Sequence, residues 1–159
     1  MATFEHALAA AKGEAAWDAL MPLCQRVVGA KLFTVMTVDN ALGLARRAYT
    51  NDASAYPVSG TKPIHRDRWF DTVHGQQRSF VANTLADIAT VFPDHELIGK
   101  LGCGSVINLP VVVDGAVVAT INMLDVEHHY TPARVALAEK WLRAPARQAY
   151  LAALAGGAA

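Results

Sequence analysis

The run "INLPVVVDGAVVATINMLD", Ile107 to Asp125, decides how this chain folds. Its β-branched residues favour extended backbone, and Asp114-Gly115 in its middle is a strong turn signal, so it predicts an antiparallel hairpin. Asn108, Thr120 and Asn122 interrupt it where a plain core hairpin would carry more valine. Side chains alternate across a strand, so register decides whether those three share a surface. A two-residue turn at Asp114-Gly115 with regular pairing sets Asn108 opposite Ile121 and Asn122 opposite Ile107, scattering polar groups over both faces. A three-residue loop, Val113-Asp114-Gly115, with Gly115 in the left-handed conformation, sets Asn108 opposite Thr120 and Val106 opposite Asn122.

The second register is the expectation, because it separates two surfaces. Ile107, Leu109, Val111, Val117, Ala119, Ile121 and Met123 make a dry face for helices. Val106, Asn108, Val112, Val118, Thr120, Asn122 and Leu124 make a mixed one. A buried amide without a partner costs about 1–3 kcal/mol, so two asparagines on a half-apolar face call for partners. Apolar walls with a few convergent donors and acceptors are how small-ligand pockets are built. The amides could equally be satisfied by neighbouring loop backbone.

Around the hairpin, residues 3–29 favour helix, with Leu8, Ala11, Ala15 and Ala19 at helical spacing, Pro22 expected to divide the segment and Gly29 to stop it. "KLFTVMTVD" (31–39) and "LARRAYT" (44–50) read as strands joined by the turn "NALG", with Arg47 and Tyr49 on one face. After the turn-rich loop 51–63, Pro63 opens a short helix presenting Trp69, Phe70 and Val73. "SFVAN" is a short strand and "LADIATVF" a brief helix; Asp94 caps another helical turn that ends at Gly102. Thr131-Pro132 starts a closing helix that Pro145 kinks or divides, and the tail "AGGAA" (155–159) is expected to fray. Paired antiparallel strands with helices at both ends of the chain give an α+β domain whose terminal helices pack on one side of the sheet.

Composition narrows function. At 159 residues, a single domain with one sizeable core is expected. Lysine plus arginine equals aspartate plus glutamate, 14 each, so the basic excess of a nucleic-acid binder is absent. No apolar run approaches the ~20 residues needed to span a bilayer. The N-terminus has no export-signal pattern, and Cys24 and Cys103 lie far apart with no CxxC. A reduced, cytoplasmic compartment follows as the expectation.

"SVINLPVVVDGAVVATINMLD" and "LFTVMTVD…LARRAYT" resemble the penultimate and opening hairpins of GAF domains, and the terminal helices fit that family's helical layer. The resemblance runs from about residue 5 to 155, with Ala119 where the family usually has glycine. It implies a GAF/PAS-like antiparallel sheet with helices on one face and a ligand pocket on the other. It also implies a sensory or regulatory module, here stand-alone, that binds a small polar or anionic metabolite and dimerises through its terminal helices. No particular cofactor is implied. On this resemblance Ser105, Asn108, Thr120 and Asn122 form the floor region of the pocket. Tyr49, Tyr56, Trp69 and Phe70 supply walls and lid, and Arg47 a possible anion clamp.

An enzyme acting on such a metabolite is the alternative, and an interaction module with a vestigial pocket a third possibility. The family's free methionine-R-sulfoxide reductases need redox cysteines and pocket carboxylates. Aligning on Ser105 and Pro110 puts Val106, Asn122 and Leu124 at those carboxylate positions, and Cys103 does not match the cysteine's spacing. Cys103, between two glycines in "LGCGS", or a histidine would be the reactive group of such an enzyme, against the reading of Cys103 as a small buried thiol. His65, His74, His95, His128 and His129 have no recognised metal-ligand spacing, so no metal site is expected. Asp71 and His74 could pair on the surface of a helix.

Overall fold

The computed structural model describes residues 2–156. The expected fraying of the tail therefore falls largely outside the described residues. Helices α1 (Ala2–Ala9) and α2 (Glu14–Val27) lead into strands β1 (Leu32–Asp39), β2 (Leu44–Thr50) and β3 (Lys62–Pro63). A short helix α3 (Arg68–Phe70) runs on into a π-helical turn, Asp71–Gly75. Then follow β4 (Phe80–Ala82), α4 (Leu85–Ala89), α5 (His95–Lys100), β5 (Ser105–Val113), β6 (Ala116–Asp125), α6 (Pro132–Trp141) and α7 (Arg143–Ala155). The six strands form one antiparallel sheet in the order β3-β2-β1-β6-β5-β4.

The sheet separates two apolar clusters. On one face Trp17, Leu20, Leu23, Leu142, Ala146, Ala149 and Ala153 from the terminal helices cover Phe33, Val35, Ile107, Leu109, Ala119, Ile121 and Met123. The alanines let α7 lie close to the strands, and Ala119 is fully buried beneath the helical layer. On the other face Tyr56, Val73, Phe80, Ile88 and Ile98 gather over Leu32, Val106, Val117 and Leu124. The α+β expectation, with the terminal helices on one face of the sheet, is met.

The decisive hairpin reaches its sorting by a different route from the one expected. Asp114-Gly115 is a two-residue turn, both residues at positive φ (51° and 79°), with Val113 opposite Ala116. These are the dihedrals of a primed hairpin turn, whose twist matches that of the strands. The extra residue sits inside β6. Val111 pairs with Ala119 and Val112 with Val117, leaving Val118 as a bulge. Beyond it Asn108 lies opposite Asn122, and Thr120 opposite Pro110. The expected pairs Asn108–Thr120 and Val106–Asn122 are therefore incorrect, although all three polar residues do share one face. Val117 and Val118 exchange the faces expected for them, Val117 packing with Val106 and Leu124 and Val118 against the helical cluster.

A second bulge corrects another expectation. Val35 pairs with Tyr49 but Met36 with Arg47, so Ala48 is extra. Arg47 and Tyr49 thus point to opposite faces. Pro22 does not divide its segment either. The break falls at Gly13, with φ 61°, and α2 continues through the proline. Pro22 and Asp18 lie on the solvent side of α2, where the carbonyl freed by the missing N–H can meet water. Pro63 belongs to β3, and α3 opens instead at Asp67, whose carboxylate accepts from the Phe70 N–H. Asp94 precedes α5 without a side-chain cap bond. Thr131 accepts from the Arg134 N–H as expected, and the closing helix divides at Leu142, with Pro145 in the first turn of α7.

Candidate ligand-binding site

The mixed face of β1, β6 and β5 is the floor of a cavity of about 360 Å³, within the range of small-molecule sites. The floor comprises Leu32, Thr34, Met36, Val106, Asn108, Thr120, Asn122 and Leu124. The walls come from Arg47 on β2, Tyr56 in the loop before β3, Trp69 on α3, His74 on the π-helical turn and the segment Val91–Asp94. Lys62 and His65 stand at the exposed edge.

A line of hydrogen bonds crosses the floor. The Trp69 indole Nε1–H donates to Asn108 Oδ1 (2.9 Å), Asn108 Nδ2 to Asn122 Oδ1 (2.8 Å), and Asn122 Nδ2 to Thr34 Oγ1 (3.2 Å). An indole N–H can only donate, so it fixes the direction of the whole line and the orientation of both amides. The Thr34 hydroxyl receives the last bond and keeps its own proton to give. The two carboxamides, 3% and 7% exposed, are thus partnered by each other rather than by loop backbone. Two further polar atoms, Thr120 Oγ1 of the floor and His74 Nε2 of the wall, are buried with no partner.

His74 was not expected here. Phe70, four residues earlier, stacks on its ring at 4.7 Å and 8°, and the wider π-helical turn carries it to the cavity. Burial, and then the Arg66 guanidinium, hold its imidazole below the usual histidine range. In the folded state His74 therefore resists the charge it would take up when unfolded. Stability present above about pH 6.5 should be lost as pH falls through the lower folded value. Urea titrations from pH 7.5 to 5 should show that loss, and His74→Leu should reduce its slope.

Around the mouth, Tyr56 organises two charged groups. Tyr56 donates its hydroxyl to Asp94 and carries the Arg47 guanidinium over its ring at 4.6 Å. Burial, and the bond to Asp94, push the Tyr56 hydroxyl well above its ordinary value, so it stays protonated. Arg47 Nη1 donates to Pro57 O at 3.0 Å.

Of the expected site residues, Arg47, Tyr56, Trp69, Asn108, Thr120 and Asn122 line the cavity. Three do not. Tyr49 lies on the helical face, its hydroxyl donating to Asp18 at 2.6 Å, because of the Ala48 bulge. Ser105 donates to the Val126 carbonyl at 2.7 Å and ties the strand ends together. Phe70 supports His74 from behind. Thr34 and Met36 join the floor and Asp94 the wall, none of them expected at the site from the sequence.

Cys103 is buried in the apolar cluster beside the cavity and is not among its lining residues. Burial, then Asp125, raise its thiol, and burial pushes the Cys24 thiol up to about 12. Both should stay unlabelled by iodoacetamide at pH 7.5 in native protein and react once unfolded, as mass spectrometry would read directly. Among the described residues no cluster of three or more His, Cys, Asp or Glu side chains could hold a metal ion. No helix among them is long and apolar enough to cross a membrane.

No family model matches the sequence, and no curated protein sequence does. Solved structures match nearly end to end. The GAF domain of a two-component sensor histidine kinase from Bacillus halodurans aligns over 89% of this chain and 95% of its own, with TM-score 0.68 and 12% identity. The GAF domain of a phosphoenolpyruvate-protein phosphotransferase from Coxiella burnetii covers 97% and 92%, with TM-score 0.66 and 14% identity.

The chain has the GAF fold.

A free methionine-R-sulfoxide reductase from Neisseria meningitidis, solved with its substrate, shares the architecture more loosely. Its TM-score is 0.57 at 16% identity, over 96% of this chain and 86% of that one. GAF domains occur in sensor and signalling proteins such as the histidine kinase above. At these identities the likeness speaks to fold, and this chain's own side chains must speak to the site.

Thr120 offers a direct test of the site. Its hydroxyl is buried without a partner, and removing an unsatisfied group while keeping the shape relieves its desolvation cost. Thr120→Val should therefore raise the unfolding free energy, by roughly 1 kcal/mol in urea denaturation. A gain in stability on deleting a polar atom is the mark of an atom held for something other than folding.

Proposed function

We propose that this GAF fold is a small-molecule sensor or regulatory module, binding a small polar or anionic metabolite over the mixed face of its sheet. The observation that carries this reading is the unpartnered Thr120 hydroxyl, 2% exposed, on the floor of a cavity of about 360 Å³. Folding alone would favour valine there. The Trp69–Asn108–Asn122–Thr34 line supports it as well, because it ties the polar groups of a half-apolar floor together and leaves the Thr34 hydroxyl a proton to donate. Arg47, Tyr56, Trp69, Asn108, Thr120 and Asn122, with Thr34 and His74, are the proposed contacts.

A thermal-shift screen of metabolites, followed by mass spectrometry of whatever co-purifies, tests the reading. A true ligand at a hundred times its dissociation constant adds about 2.7 kcal/mol, a rise of roughly 5–10 °C for a chain of this size. The shift should vanish in Thr120→Leu, which pushes a larger side chain into the cavity and removes the hydroxyl. A hit that stabilises Thr120→Leu equally would place the ligand elsewhere.

The protein is further proposed to be cytoplasmic and to form a homodimer through its terminal helices. Leu137, Trp141, Leu151 and Leu154 are exposed apolar residues on α6 and α7, and such side chains are ordinarily sheltered when they cluster. Light scattering should give twice the monomer mass, falling to the monomer in Trp141→Glu.

A further inference from the structure

Charge in the cavity is sorted by exposure. Every polar group of the floor is neutral: the Thr34 and Thr120 hydroxyls and the carboxamides of Asn108 and Asn122, all buried. His74 adds a neutral imidazole edge. No buried cation is present on that floor to receive an anion, and no carboxylate to receive a cation. A ligand charge placed there would be desolvated without compensation, which is prohibitive unless it is neutralised. What reaches the floor must be uncharged.

The mouth differs. Its two carboxylates are already used within the protein, Asp67 by the Phe70 N–H and Asp94 by the Tyr56 hydroxyl. Of its two cations, Arg47 also gives one hydrogen bond to the protein, while the Lys62 ammonium gives none among the described residues. The ion pairs among the described residues are His129–Asp125 and Arg143–Glu139, and neither includes Arg47 or Lys62. Arg47 is held by a neutral carbonyl and a ring face, contacts that orient a guanidinium without cancelling its charge. Lys62 is exposed and lines the cavity. The cavity is otherwise lined by apolar side chains, Leu32, Met36, Val38, Phe92, Ile98 and Leu124 among them, a surface suited to hydrocarbon or an aromatic ring.

We propose that the pocket takes amphipathic monocarboxylates: a hydroxyl or carbonyl at the buried end against Thr34, Thr120 and His74, an apolar body, and the carboxylate beside Lys62 and Arg47. This rests on the pocket reading above and narrows it to one chemical class. The buried end fits because Thr34 presents a proton and Thr120 can give or accept one, so a hydroxyl or a carbonyl can be satisfied there. The carboxylate stays partly solvated at the mouth, where attraction to Lys62 and Arg47 is gained without full desolvation.

Three probes of one shape test it by titration calorimetry: 4-hydroxyphenylacetate, phenylacetate, which lacks the buried hydroxyl, and tyramine, which reverses the charge. The first should bind about tenfold more tightly than either of the others, each difference being one hydrogen bond or one charge contact. Thr120→Val should bring 4-hydroxyphenylacetate and phenylacetate to equal affinity while both still outbind tyramine. Lys62→Glu, an exposed substitution, should erase the advantage over tyramine and leave the hydroxyl preference intact. Equal binding of phenylacetate, or tyramine as tight as the acid, overturns the assigned class. So does failure of all three while other fragments shift the Trp69 indole resonance, an outcome that leaves the pocket reading standing. If no compound in a broad fragment set moves that resonance, the pocket reading itself fails and the class with it.

Discussion

Asn108→Leu should lower the unfolding free energy by about 2–4 kcal/mol, because it leaves two buried groups unsatisfied at once. The Trp69 indole N–H loses its acceptor, and Asn122 Oδ1 loses its donor. The side chain lies 3% exposed, with Phe80 of β4 on one side and Asn122 of β6 on the other. Leucine has the same number and branching of side-chain heavy atoms as asparagine, so it leaves no void and makes the loss chiefly a measure of the polar line. Urea denaturation reads it directly. A double-mutant cycle with Asn122→Leu sharpens the point. Because each single change orphans the other's partner, the double variant should lose less than the sum of the two, with a coupling of about 1–3 kcal/mol. Additive losses would mean that the two amides stand independently.

Trp17 gives the second large effect and a contrast. It is fully buried where α2 meets the sheet, so Trp17→Ala should cost about 3–5 kcal/mol through lost contacts and the cavity left behind. Its indole N–H, however, has no hydrogen-bond partner. Trp17→Phe removes that unsatisfied donor along with part of the ring, so the two contributions oppose and the net cost should stay below about 1.5 kcal/mol. Trp69→Phe should behave differently, because that indole directs the amide line and its loss frees Asn108 Oδ1. The same chemical change at two tryptophans thus separates a ring kept for packing from a ring kept for its N–H. Urea midpoints of the three variants, measured together, decide it.

How much of this was legible in the sequence depends on what carried the signal. The two-face sorting of the 107–125 hairpin was readable, because only one parity brings Asn108 and Asn122 to the same side. Where the odd residue would sit was not readable. A loop of three and a bulge at Val118 give the same parity for the distal strand, and nothing in "AVVAT" marks which valine leaves the ladder. The Ala48 bulge was equally silent, and it moved Tyr49 out of the site while leaving Arg47 in it. Thr34 could have been found, since it alternates with Phe33 and Val35, whose apolar bulk claims the helical face. His74 was hidden by its setting. At ordinary helical spacing it reads as a surface partner of Asp71, and only the π-helical turn brings it inward. Tyr56 and Asp94 lie in loops thirty-eight residues apart, and loop chemistry specifies local turns rather than distant partners.

The claim on which the account turns is that the mixed face is a working floor, ordered by one line of donors and open to a ligand. Side-chain nitrogen NMR reads it in one experiment. In the free protein the Trp69 indole and the Asn108 and Asn122 amide protons should exchange slowly with water, and a compound that stabilises the fold should shift all three signals together. Rapid exchange at these groups, or a stabilising compound that leaves all three unmoved, would contradict it.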